Sequence, residues 1–181
     1  MRIQVLGSSA GGGFPQWNCN CPNCDGLRRG TVNARARTQS SIAVSANDTD
    51  WLLVNASPDI LTQIREAPEL QPARAIRDSG IAAVLLMDAQ IDHVTGLLML
   101  RERQTPLPLL ATPDVFSDIS SGFPITGILS HYCGVQRQEL PIDGSTVNVP
   151  GLPGLQVQTV SLSSKPPPYS PFRGNPRPGD N

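Results

Sequence analysis

Three cysteines crowd into six residues of this 181-residue chain, Cys19-Asn20-Cys21-Pro22-Asn23-Cys24, a Cys-x-Cys-x-x-Cys spacing. Zn²⁺ is satisfied by tetrahedral thiolate and imidazole ligands, and spacings this short let successive sulfurs turn inward around one ion. Pro22 stiffens the turn, and Asn18, Asn20 and Asn23 can supply the N–H···S contacts that orient thiolates. A closed structural site needs a fourth ligand. Within the chain the remaining candidates are His131, Cys133 and His93. The alternative is a set of reduced thiols without metal, but core packing explains three cysteines on a polar, Gly-rich loop poorly. A catalytic thiol is disfavoured, because no histidine stands nearby in sequence. Trp17, beside the cysteines, is expected to shield the metal from water.

A second group follows the apolar run Ile81-Ala82-Ala83-Val84-Leu85-Leu86-Met87: Asp88, Gln90, Asp92 and His93. The run reads as a strand buried on both faces, and ligands of α/β sheets bind at the carboxyl ends of strands. Two carboxylates, an amide and an imidazole in six residues could hold a hard divalent ion with positions left open for substrate or oxygen. The plainer reading has Asp88 or Asp92 capping a helix, with His93 packed beneath it. Residue types alone leave both readings open.

Composition narrows the classes. Fourteen Lys+Arg against fifteen Asp+Glu give a net charge of −1, which argues against a generally basic nucleic-acid binder. At 39% apolar the chain should be globular, with many turns from 18 prolines and 16 glycines. Its longest apolar run is too short for a membrane span, and the N-terminus lacks the apolar stretch of a secretory signal. The expected compartment is the cytoplasm, where clustered cysteines mean metal before disulfide.

The elements that must position these groups can be read from periodicity. Residues 2–6 form a first strand, followed by a long ordered loop from Gly7 to Asn33. Strands over 41–46 and 51–56 make a hairpin around Asn47-Asp48-Thr49-Asp50, and a short helix covers 59–67. An amphipathic helix is expected over 94–101 and a strand over 107–112. Thr112 and Pro113 then start a helix toward Ile119, and strands follow at 146–149 and 155–162. Residues 164–181 hold six prolines and no periodicity, which suits either a disordered tail or a domain cut off partway. The layout is a layered α/β (α+β) domain over 1–163, with a Pro-rich irregular segment over 164–181.

The order of these segments resembles the first half of the metallo-β-lactamase αββα sandwich. There the turn after the buried strand reads His-x-His-x-Asp-His; here Asp92 and His93 keep the last pair, while Asp88 and Gln90 replace the first two histidines. The stretches Gly7–Cys21 and Met87–His93 closely resemble the family of pyrroloquinoline quinone (PQQ) biosynthesis protein B, whose members are longer. The resemblance implies that Cys19, Cys21 and Cys24, in a zinc-binding loop over 15–27, hold a structural Zn²⁺ with a histidine from beyond this chain. It also implies that Asp88, Asp92 and His93 are the reactive groups of a cleft. Asp92 and His93 would hold the cleft metal, with Fe²⁺ as a candidate, and Gln90 would contribute to cofactor binding.

Two roles are implied for the family: carrier of PQQ or its precursor toward the periplasm, or non-haem-iron oxygenase hydroxylating a tyrosine-derived precursor. Implied partners are PQQ or its peptide-derived precursor and other proteins of the pathway, without nucleic acid or membrane span. β-Lactamase activity is not expected, since two-zinc hydrolysis depends on several histidines. The competing readings are a metal-dependent phosphodiesterase of the same fold, or an inactive fragment with marginal stability and exposed apolar surface.

Overall fold

The computed structural model describes residues 1–162 and 164–181, so the expected boundary at residue 163 lies outside the described residues. Its centre is a six-stranded mixed sheet in the order β1-β2-β3-β4-β5-β6. Strands β1 (Arg2–Gly7), β2 (Ser41–Ser45) and β3 (Trp51–Val54) pair antiparallel. From β3 onward, β4 (Ile81–Leu85), β5 (Leu107–Ala111) and β6 (Val135–Glu139) run parallel. A separate ribbon joins β7 (Thr146–Asn148) to β8 (Gln156–Gln158). This is a layered α/β arrangement, in agreement with the expectation.

Alternation of side chains divides the core. Leu53, Val84, Leu109 and Ala111 face a helical layer with Ile60, Leu97, Phe116 and Ile125. Leu52, Ala83, Leu85 and Leu110 face the other way, onto Val149, Leu152 and Leu155 around the β7–β8 ribbon. Each fully buried Leu, Ile or Phe contributes about 1.5–3 kcal/mol, so both faces of β3 to β5 are strongly held. Beyond the ribbon, Ile3 and Val5 on the outer strand remain exposed, at 58% and 66%. Among the described residues, no helix is long and apolar enough to cross a membrane.

Several elements differ from the sequence reading. The last strand, expected over 155–162, is only β8 (Gln156–Gln158), and the helix at Ile125–Leu129 has no counterpart in that reading. The loop after β1 contains a helix, α1 (Pro22–Arg29), with Pro22 in its first turn and Gly30 in the left-handed conformation at its end. The helix expected over 94–101 is only one turn, α3 (Ile91–Val94), before the backbone tightens into 3₁₀ geometry over Thr95–Leu100. Gly96 explains the change. Its amide donates to the Ala56 carbonyl at 2.9 Å, and a Cβ there would collide with the Ser57 carbonyl. Strand β6 has no apolar alternation, because it lies at the sheet edge with its polar residues in solvent.

The remaining helices are α2 (Ile60–Glu66), α4 (Pro113–Ser117) and α5 (Ile125–Leu129). Thr112 caps α4 as expected, accepting from the Val115 amide at 3.2 Å. The Pro-rich segment contains no helix or strand among its described residues, yet it is docked. Arg177 reaches Asp114, Asp118 and Asp180 at 3.3, 3.2 and 2.7 Å.

Candidate functional site

The cysteines sit at the start of α1. Cys21 is its N-cap residue and Cys24 lies in the first turn, so helix geometry folds the two sulfurs toward one side. The Sγ atoms of Cys19, Cys21 and Cys24 all lie within 4.8 Å of one another. Around a tetrahedral zinc with Zn–S bonds of about 2.3 Å, sulfurs stand roughly 3.8 Å apart, so a small contraction would close the set. Among the described residues, this is the one group of three or more metal-ligating side chains converging on a common point.

The chemistry of the sulfurs differs with their surroundings. A hydrogen bond from the Cys24 backbone, helped by the Cys19 and Cys24 side chains, lowers the Cys21 thiol to about 7. For Cys24, a backbone hydrogen bond from Gln16 favours the thiolate, but burial and the neighbouring sulfurs outweigh it and the net shift is upward. Arg28 fastens the loop from below, donating to the Cys19 carbonyl at 2.6 Å and to the Gln16 carbonyl. It is a structural clamp, a role its place in a short basic stretch does not reveal. Trp17 does not shield the cluster as expected: at 82% exposed it points into solvent.

The second group stands at the carboxyl end of β4. Asp88 is buried, and its Oδ1 meets His93 Nδ1 at 2.7 Å and accepts the Gln90 amide at 2.8 Å. One carboxylate oxygen therefore fixes both the turn and the imidazole. His93 Nε2 points away from Asp88 and lies 3.8 Å from Asp92 Oδ2. Burial pulls the His93 pKa down, but the Asp88 hydrogen bond and the charges of Asp88 and Asp92 outweigh it, and the net shift is upward. Gln90 occupies the N-cap of α3 without a side-chain capping bond.

Neighbouring backbone completes the corner. Gly11, in the Gly-rich loop, packs against Asp92; a Cβ at that position would sit 3.2 Å from Asp92 Oδ2. At the end of β3, Asn55 adopts a φ of 61° and its Oδ1 accepts the Met87 amide at 3.0 Å. The Ala56 amide donates to the His93 carbonyl at 2.7 Å. Asn55 is a supporting residue that the strand reading passed over; the local signal was an Asn, which tolerates the left-handed region, at a strand end.

The sulfurs and the corner thus form two arrangements. Asp92 and His93 Nε2 face each other, whereas Asp88 is spent on Nδ1 and does not join them at one point. A carboxylate that holds the distal nitrogen of a histidine fixes its tautomer and raises its basicity as a ligand. The pair Asp92 and His93 can offer one oxygen and one nitrogen to an ion, with further ligands needed.

Comparisons with known proteins give the family and the fold. A family model described as a beta-lactamase superfamily domain matches residues 50–181. The chain is 62% identical over 181 residues to coenzyme PQQ synthesis protein B of Azoarcus sp. (strain BH72), covering 100% of this chain and 59% of that protein. A crystal structure of Zn²⁺-bound PqqB from Methylobacterium extorquens superposes with a TM-score of 0.81 at 42% identity, covering 93% of this chain and 55% of that one. A diphosphatase of the PhnP family shares the fold at a TM-score of 0.61 and 18% identity, over 81% of this chain and 52% of its own. The chain therefore spans about three-fifths of the curated relative's length. It belongs to the beta-lactamase superfamily and, within it, is similar along its whole length to coenzyme PQQ synthesis protein B.

Proposed function

We propose that this chain serves the biosynthesis of PQQ, and that its Asp88–His93 corner takes part in a metal-assisted hydroxylation of a tyrosine-derived precursor. The pathway assignment rests on the 62% identity, over the whole chain, to a protein named for PQQ synthesis. The observation that carries the chemical part is the Asp88–His93 contact of 2.7 Å, which aims Nε2 toward Asp92. A carrier that only encloses its cargo has no need of an imidazole oriented in this way.

The donors fit a hard or borderline ion better than a pair of zinc ions. One carboxylate and one imidazole are part of a facial set of the kind that holds Fe²⁺, whereas Asp88 and Gln90 stand where a two-zinc hydrolase keeps histidines. When bound, iron would supply the oxygen chemistry that protein side chains lack. The chain's own residues orient and exclude. Asp88 keeps the proton on Nδ1 and leaves the Nε2 lone pair free, and Gly11 lets backbone cover Asp92 without a side chain intervening. We assign Cys19, Cys21 and Cys24 to a scaffolding Zn²⁺, as the sulfur spacing and the Zn²⁺-bound relative support.

The test uses the full-length protein loaded anaerobically with Fe²⁺. Oxygen uptake coupled to a hydroxylated precursor, and abolished in His93→Ala, supports the proposal. Tight PQQ binding with no metal-dependent uptake would replace it with the carrier role. Turnover of a phosphodiester with Mn²⁺ would replace it with hydrolysis.

A further inference from the structure

We propose that Tyr169 is a positioning residue for the metal turn: residues 164–181 form a strap whose phenol hydroxyl holds the Ala89 carbonyl between Asp88 and Gln90. The hydroxyl donates to that carbonyl, and Ala89 itself is fully buried. A buried carbonyl must find a donor, and here the donor comes from a residue eighty positions away. Pinning it fixes the Ala89–Gln90 peptide plane, whose Gln90 amide donates at 2.8 Å to the same Asp88 oxygen that holds His93.

The strap is anchored at Tyr169 and beyond it. Its ring meets Phe123 edge-on, with centroids 5.7 Å apart at 62°. Gly122 lets the strap approach, since a Cβ there would stand 2.9 Å from the Tyr169 carbonyl and 3.0 Å from its ring. Next along, Ser170 Oγ donates to buried Asp118 at 2.5 Å. Farther on, Arg177 ties Asp114, Asp118 and Asp180 together, and Thr112 donates to the Gly179 carbonyl. Burial, with the charges of Asp118 and Asp88, keeps the phenol protonated far above neutral pH, so it remains a donor. The Pro-rich segment, which has no secondary structure of its own, thereby acts on the corner through one hydroxyl. Its consequence for metal binding rests on the metal reading proposed above.

Tyr169→Phe in the full chain separates this role from packing, because the ring and its Phe123 contact survive. In the metal-free protein, amide exchange at Gln90 and His93 should quicken by about tenfold or more, with Leu86 on the adjacent strand pairing unchanged. With Co²⁺ as probe, affinity at the corner should fall by about tenfold or more, while zinc on the cysteines stays stoichiometric. Exchange at both amides within about twofold of wild type would overturn the proposal. A wild-type protein that takes no Co²⁺ at the corner counts against the metal reading alone, and the exchange comparison still decides the strap.

Discussion

His93 has a single free ring nitrogen, because Asp88 Oδ1 occupies Nδ1 at 2.7 Å while Nε2 faces Asp92 Oδ2 at 3.8 Å. The arrangement divides labour between two carboxylates of one turn. Asp88, buried, orients; Asp92, more open and packed by Gly11, is available to an ion.

Asp88→Ala should therefore weaken metal binding at the corner without touching the cysteine site. Loss of a carboxylate behind a ligating histidine typically costs 10–100-fold in affinity, about 1.4–2.7 kcal/mol. Equilibrium dialysis against Fe²⁺ or Co²⁺, with zinc counted separately, measures it. Unchanged affinity would show that His93 needs no such support.

The same contact predicts a pH dependence. A histidine whose folded pKa is raised above its unfolded value of about 6.5 binds its proton more tightly when folded. The stabilisation is full below about pH 6.5 and is lost as pH rises through the raised folded value. Urea unfolding of metal-free protein across roughly pH 5.5–8.5 should show wild type losing its advantage over His93→Gln toward the alkaline end. A difference constant across that range would refute the assignment.

At the cysteine loop, the thiolate is the reactive species. Cys21, lowered to about 7, should be alkylated by iodoacetamide in metal-free protein with a rate climbing across roughly pH 6–8. Cys24, buried and raised, should lag behind it at every pH. Zinc should protect both. Peptide mass mapping resolves the two positions, and equal rates would contradict the different surroundings.

Arg177 is the anchor of the strap and faces carboxylates that are almost wholly buried, Asp118 at 1% and Asp180 at 2% exposed. Arg177→Leu leaves those charges uncompensated, so about 3–5 kcal/mol of stability should be lost. Denaturant unfolding reads this directly. A loss under about 1 kcal/mol would mean the cluster is worth no more than a surface ion pair.

Much of this was legible in the chain itself. The apolar runs 51–54 and 81–87 marked β3 and β4, which are buried on both faces, and the alternation of 41–46 marked β2. Helix α1 was missed because glycine and polar residues leave it almost no apolar stripe, although Pro22 and Gly30 are proper start and stop signals. The helix expected over 94–101 failed for a tertiary reason: Gly96 must meet the Ala56–Ser57 backbone, and an uninterrupted α-helix does not bring it there.

The division between what the chain spelled out and what folding decided follows from the range of each interaction. Ligand types and close spacings are local, so Cys19, Cys21, Cys24 and the Asp88–His93 group could be named from order alone. Which atom of which carboxylate meets which ring nitrogen depends on strand ends and loops brought together from distant positions. Asn55 supporting Met87, Gly11 against Asp92 and Tyr169 on Ala89 are all such meetings, and no sequence period encodes them. A hydrogen bond is set by ångströms in space, and the packing of the two core faces alone fixes that distance.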